Sequence, residues 1–455
     1  MLEISPERLD ELLKKQKAFF EAGKTRGLEV RLAALERFET IFVEKKEELL
    51  EALQTDLGKP TLEAFLGEYH FLLQEVRLLR KSLKQWLRPR RAKSPFYFWP
   101  CRNEVRLEPH GQVLIIAPWN CPVQLALAPL LSAVAAGNTV ILKPSEEVPA
   151  CETFLEKLIA ECFDSEWVTV VTGGAKFTSS LLDLRFDFLF FTGSTRVGKI
   201  VAQKAARHLT PAILELGGKC PCVVDASVDL EETAKRILIG KLFNAGQSCF
   251  APDFVAVDNQ IEEALVEELQ RVLSAFPWEE EMARIVNGRH YQRLRALCQE
   301  GDFRKGDDGP NVLHLAPRIV SGGTWSDSLM QEEIFGPILP VVGYADREDL
   351  LEKLSHLPVP LALYCFSTNE AFVDDLTMRV PSGGVCVNDV AKQGSNLEMS
   401  FGGKGESGYG RYRGQRSVEA FSYERAYTKR FLWFDPFESI PPRGKQARFL
   451  QKWMK

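Results

Sequence analysis

A chain of 455 residues exceeds one comfortable hydrophobic core and calls for roughly two to four domains. With 45% hydrophobic and 26% charged residues and a net charge of −5, it is neither disordered nor basic enough to have nucleic acid as its main partner. Its 10 cysteines follow no regular spacing and the opening MLEISPERLDELL has no apolar signal core, which predicts a reducing, cytoplasmic setting.

The stretch up to Gln85 carries helical periodicity, with Leu32, Leu35, Phe38, Ile41 and Phe42 on one face. The segment RPRRAKSPFYFWPCRNEVRLEP then brackets aromatic and β-forming residues with prolines, which predicts an extended arm. The apolar run 123–136 is interrupted by Gln124, Pro129 and Ser132 and is too short to span a bilayer, so it predicts a buried helix and no transmembrane span.

From Gly111 onward, apolar strands at 113–116, 139–142, 168–171 and 188–191 alternate with helices. A second series follows at 254–257, 338–342, 361–366 and 384–388. This rhythm predicts an α/β fold of two Rossmann-like domains, each with a mostly parallel sheet. The expected division is 1–86 with 105–213 for a dinucleotide-binding domain and 214–408 for a catalytic domain. Residues 87–104 and 423–432 would make a small β arm for oligomerisation, and 433–455 a C-terminal tail.

In FDFLFFTGSTRVGKIVAQKAA a buried strand passes through Gly193, Ser194 and Gly198 into an amphipathic helix. Free N–H groups at such a helix start attract anions. The loop lacks the middle glycine of GxGxxG, and an ordinary strand-to-helix turn with a Ser cap is the plainer alternative. In ILKPSEEVP, Lys143 and Glu146 stand at the edge where open α/β sheets bind ligands and could hold ribose hydroxyls; a solvated surface lysine is the alternative.

Cys249 in NAGQSCFAPD sits among small and polar residues that leave a sulfur accessible, although an isolated cysteine often serves as a small buried hydrophobe. Glu215 in AILELGGKCP interrupts an apolar strand. Desolvation would raise its pKa and make it a base for activating water, while a buried ion pair or an edge-strand position is the alternative. Cys220 and Cys222 form a Cys-Pro-Cys unit better explained by core packing than by a metal, and no metal site is expected.

The segments GQVLIIAPWNCP, AAGNTVILKPSE, FFTGSTRVGKI, LELGGKCP, GQSCFAPDFV, QEEIFGPILPVV and SFGGKGESGYG occur in this order, and together they resemble the aldehyde dehydrogenase superfamily. The resemblance covers nearly the whole chain and is closest to the class 3 branch, which acts on fatty and aromatic aldehydes. It implies NAD(P)-dependent oxidation of an aldehyde to a carboxylic acid. Cys249 would be the nucleophile that forms a thiohemiacetal and then a thioester, Asn120 the oxyanion donor with the Cys249 N–H, and Glu215 the base for hydrolysis.

The resemblance further assigns Lys143 and Glu146 to the adenosine ribose, Ser194 to the pyrophosphate, and Glu333 with Phe335 to the nicotinamide ribose and ring. Trp119 and Phe401 would line the reactive region. NAD is favoured because Glu146 should repel a 2′-phosphate, with NADP the alternative if Lys143 and Arg196 compensate. Ser400, Lys404 and Glu406 depart from the family pattern, which bears on substrate preference more than on chemistry.

The implied partners are a small-molecule aldehyde and a second copy in a homodimer. The tail FLWFDPFESIPPRGKQARFLQKWMK suits docking on protein better than its alternative, a weak peripheral membrane contact. Three rival functions stand beside this one: transfer of the acyl group to coenzyme A, a cysteine hydrolase, and a structural oligomer. Glu215 speaks against the first, the distance of all histidines in sequence from Cys249 against the second, and the presence of Cys249, Glu215, Asn120 and Glu333 against the third.

Overall fold

The N-terminal periodicity resolves into the helices Pro6–Glu21, Leu28–Glu44, Lys46–Leu57 and Phe71–Trp86 of a computed structural model that describes residues 5–95, 98, 100–298, 312–431, 448 and 451–452. Leu35, Phe38 and Phe42 are fully buried, whereas Leu32 and Ile41 at the margin of the stripe are half-buried. Between Thr61–Ala64 and Phe71–Trp86 the chain passes through a π-helical turn, Phe65–His70. The extra residue in that turn brings Glu68 and Tyr69 inward.

In chain order the strands are β1 (Arg90–Arg91), β2 (Cys101–Pro109), β3 (Gln112–Ile116), β4 (Thr139–Lys143), β5 (Val168–Val170), β6 (Phe188–Thr192), β7 (Ala212–Glu215), β8 (Pro221–Val224), β9 (Phe254–Asp258), β10 (Arg318–Val320), β11 (Ile338–Tyr344), β12 (Ala362–Phe366), β13 (Gly384–Val387), β14 (Gly408–Tyr409) and β15 (Ser422–Arg430). Among the described residues they build a sheet in the order β14-β7-β6-β3-β4-β5, a second in the order β10-β11-β9-β8-β12-β13, and a small third, β1-β2-β15. The two larger sheets are parallel throughout except for β14, which runs antiparallel to β7.

Every residue of β3, β4 and β6 is buried. Strands covered on both faces must be apolar without alternation, which is why these runs read as they do. The helix Gln124–Ala136 is buried along its entire length, as the interrupted apolar run predicts. Its Ser132 hydroxyl is satisfied by the Ala128 carbonyl.

Strands β10 and β14 have no counterpart in the sequence expectation, since β10 spans only three residues and β14 two. In the third sheet β2 pairs with β15 from Pro109↔Ser422 to Cys101↔Arg430, so the arm's strand continues beyond residue 104. Leu432, and the tail apart from Arg448, Gln451 and Lys452, lie outside the described residues. No described helix is long and apolar enough to cross a membrane.

Candidate active site

Strands β7, β6, β3 and β4 are parallel neighbours, so the chain leaves all of them along one edge of the sheet. Asn120 follows β3, Lys143 ends β4, Gly193 and Ser194 follow β6, and Glu215 ends β7. Open parallel sheets bind ligands at this edge.

Cys249 lies between a short 3₁₀ turn, Phe243–Gly246, and β9. The turn is left-handed: Asn244, Ala245 and Gly246 have φ of 52°, 53° and 71°. Only glycine fits the last position, because a Cβ there would come within 2.2 Å of the Gly336 carbonyl oxygen. Hydrogen bonds hold the strained backbone in place. The Asn244 N–H donates to Glu63 (3.0 Å), and the Asn244 amide donates to the carbonyls of Asn120 (2.9 Å) and Gln247 (3.1 Å). The buried Gln247 amide donates to the Asn244 and Arg284 carbonyls and accepts from the Val286 N–H.

The turn leaves Cys249 half-buried rather than sealed in the core. Burial raises its thiol well above the ordinary value, and the nearby Glu333, Cys220 and Glu215 add to this. The resting group is therefore a thiol that needs a base. Cys220 and Cys222 are both fully buried, in keeping with packing, and no metal-binding cluster exists among the described residues.

The Asn120 amide donates one N–H to the Gln247 carbonyl at 3.0 Å. That bond fixes its orientation and leaves a second N–H for an oxyanion. The Asn120 carbonyl accepts from Lys59 Nζ at 3.1 Å, and Lys59 is itself ion-paired with Glu68 at 2.5 Å. The other Glu68 oxygen accepts the N–H groups of Val123 (2.9 Å) and Gln124 (3.1 Å) at the start of the buried helix.

Glu215 sits between β6 and β14, is 2% exposed, and has no hydrogen bond to either carboxylate oxygen. It is therefore neither ion-paired nor on an edge strand. Burial raises its pKa well above the ordinary carboxylate value, against the pull of Arg413 and Arg411. Glu333 has one unpartnered oxygen, and burial pushes it up to about 8, with Asp253 adding to the effect and the Gly218 N–H, Lys219 and Arg293 opposing it. Its carboxylate rests on Gly217, where a Cβ would meet both oxygens at 2.3 Å.

On the other side of the edge, the buried Lys143 binds Glu146 at 2.5 Å, so this lysine is not a solvated surface residue. Ser194 caps the helix Thr195–Arg207 by accepting from the Val197 N–H at 3.4 Å. The remaining first-turn N–H groups are the kind that hold a phosphate. Beside this loop, the Phe191 ring fills the space next to Gly193 and the Leu216 side chain the space next to Gly198, so both glycines permit close packing.

Trp119 meets Phe335 edge-on at 5.3 Å and His290 at 5.1 Å. Burial, helped by Arg289 and Arg293, lowers His290 to about 4, so this imidazole is a weak base at neutral pH. Phe401, 8% exposed, packs at 5.7 Å on Phe250, the residue after the candidate nucleophile. A dinucleotide fits these residues: a helix start for phosphates, a Lys–Glu pair for ribose hydroxyls, and in Glu333 a carboxylate with a free oxygen.

Sequence reasoning missed Lys59, Glu68, Asn244 and Arg413. Glu68 stands in a charged helical stretch whose pattern reads as a solvated face, and Lys59 in a Gly-Lys-Pro connection where a lysine reads as solvated. Gln247 was in view only as part of the GQSC segment, with no role of its own.

The model of the "Aldehyde dehydrogenase family" matches residues 2–426. The chain is 40% identical to "Aldehyde dehydrogenase family 3 member B1" of Homo sapiens over 96% of its own length and 95% of the relative. It is 36% identical to "4,4'-diaponeurosporen-aldehyde dehydrogenase" of Staphylococcus aureus over 96% and 97% of the two chains. Among solved structures, the "Substrate bound state of Staphylococcus Aureus AldH" superimposes with a TM-score of 0.94 at 35% identity, covering 98% of this chain and 99% of that one. The chain therefore belongs to the aldehyde dehydrogenase family, in its class 3 branch, and is an oxidoreductase acting on aldehydes.

Proposed function

We propose that this enzyme converts an aldehyde to a carboxylic acid through a covalent adduct on Cys249, with NAD as hydride acceptor and NADP as the alternative. The observation that carries the reading is a half-buried thiol with Glu333 and Glu215 near it, both with unpartnered oxygens, and an oriented amide with a spare N–H held to Gln247, two residues before that thiol.

The Cys249 thiol gives its proton to one of the raised carboxylates, and the sulfur forms a C–S bond with the aldehyde carbon. The Asn120 amide and the Cys249 N–H receive the developing oxyanion. When bound, the coenzyme supplies the hydride acceptor, with Lys143 and Glu146 at the adenosine ribose, Gly193, Ser194 and Gly198 in the phosphate turn, and Trp119, Glu333 and Phe335 around the nicotinamide end. Loss of hydride leaves a thioester. Glu215 then takes a proton from water, the water oxygen attacks the acyl carbon, and the C–S bond breaks to release the acid and regenerate the sulfur nucleophile. Phe401 and Phe250 keep the reacting carbon among apolar walls.

The close Lys143–Glu146 pair supports NAD, since Glu146 opposes a 2′-phosphate. We assign residues 1–86 and 105–213 to coenzyme binding and 214–408 to catalysis. The β1-β2-β15 sheet is proposed as the joint of a homodimer in the cytoplasm, and the tail 433–455 as a segment that docks on protein.

The test is to mix the purified enzyme with NAD or NADP and a panel of medium-chain and aromatic aldehydes while following nicotinamide absorbance. Reduction is expected, faster with NAD; no reduction with any aldehyde overturns the reading.

A further inference from the structure

Against the inner side of Phe401 lies a buried polar cluster that the chemistry above does not use. Arg413 is 4% exposed, and its guanidinium carbon is 4.6 Å from the centre of the Phe401 ring and 4.7 Å from that of Phe71. It donates to the Gly394 carbonyl, while its Nε has no partner. Glu75, one helical turn beyond Phe71, is 1% exposed with neither carboxylate oxygen hydrogen-bonded. Burying such groups without hydrogen-bond partners is costly.

The backbone connects this cluster to Glu215. Strand β14 sets Gly408 opposite Glu215, and the chain continues through Arg411 and Tyr412 to Arg413, with Tyr412 bridged to Phe401. Arg413 is the cation that draws on both buried carboxyls, opposing burial at Glu215 together with Arg411 and at Glu75 by itself. Tyr412 faces Arg413, Glu215 and Glu75; Cys249 feels Glu215, and Cys121 feels Arg413.

We propose that Arg413 is a positioning residue for hydrolysis, whose buried charge keeps Glu215 able to take a proton from water, and that Glu75 limits how much of that charge Glu215 receives. The inference rests on Glu215 as the base proposed above. Burial pushes Glu75 up to about 7, so above that pH its negative charge offsets the guanidinium.

An activated ester tests this without coenzyme. p-Nitrophenyl acetate acylates Cys249, releases nitrophenolate and leaves a thioester that needs the same water-activating base. The rising limb of the steady-state pH profile then reports Glu215. Removing the cation in Arg413→Met should move that limb up by about one pH unit, and Arg413→Lys should bring it most of the way back. Glu75→Gln, which removes an unpaired buried charge and should fold readily, is expected to move the limb down.

Opposite displacements by the two variants are not what a merely structural role produces. If Arg413→Met does not fold, Glu75→Gln and Arg413→Lys still decide the matter. A Glu215→Gln enzyme that stalls as acyl-enzyme, together with a limb unmoved in Glu75→Gln or moved the same way in both variants, overturns this proposal alone. A Glu215→Gln enzyme that deacylates like its parent overturns the assignment of the base, and this proposal with it.

Discussion

Lys59 Nζ lies 2.5 Å from Glu68 Oε1, with the two side chains 1% and 0% exposed. The pair links the Asn120 carbonyl on one side to the start of the helix Gln124–Ala136 on the other. Breaking a buried ion pair from one end leaves an uncompensated charge, so Lys59→Met should lower unfolding stability by about 3–5 kcal/mol. Glu68→Gln, which keeps an acceptor for a backbone N–H, should lower it less. Denaturant titration checks both, and an unchanged midpoint for Lys59→Met would contradict the account.

Cys249→Ala is expected to abolish turnover while leaving coenzyme binding nearly intact, read by nicotinamide fluorescence. Persistent turnover would remove Cys249 from its role.

Asn120→Ala removes the side-chain donor for the oxyanion, while the Gln247 carbonyl keeps its bond from the Asn244 amide. The expected result is a fall in kcat of about 10²–10³ with a smaller change in KM. An unchanged kcat would take Asn120 out of this role, and active-site titration of Cys249 separates a true fall in kcat from a smaller folded fraction.

At Gly217 an added methyl group would meet both Glu333 oxygens at 2.3 Å. Gly217→Ala should therefore displace that carboxylate and weaken coenzyme binding by roughly tenfold, about 1.4 kcal/mol. Titration calorimetry with NAD measures it, and unaltered affinity would take Glu333 out of the coenzyme site.

Glu75 carries a pH signature in stability as well. Burial raises its folded pKa to about 7 from a usual value of 4.5, so the folded state binds the proton more tightly than the unfolded one. Stability is then full below the unfolded value and is lost as pH rises toward 7, by roughly 3 kcal/mol. Glu75→Gln should flatten that decline, and unfolding midpoints at pH 5 and pH 8 show whether it does.

Much of this architecture could be read from residues alone. Strands β3, β4 and β6 announce themselves because both faces are buried, and the all-apolar helix Gln124–Ala136 does so for the same reason. Glu215 was legible because a charge interrupts such a run and Cys249 because small and polar residues surround it, whereas Asn120 came from the resemblance alone. Glu68 was not, since an inward-turning charge looks like a surface charge until a π-helical turn rotates it, and Lys59, in the loop before that turn, gains its meaning only from Glu68. Arg413 was hidden differently: its meaning comes from Phe71 and Glu75, hundreds of positions away in the chain.

The carbonyl of Gly336 against Gly246 has one more consequence. The loop bearing the sulfur and the loop bearing Glu333 and Phe335 meet there main chain to main chain. In the mechanism proposed above, that contact would set the distance from sulfur to nicotinamide by peptide geometry rather than by rotamers, and leave side chains elsewhere around the site to vary with the aldehyde.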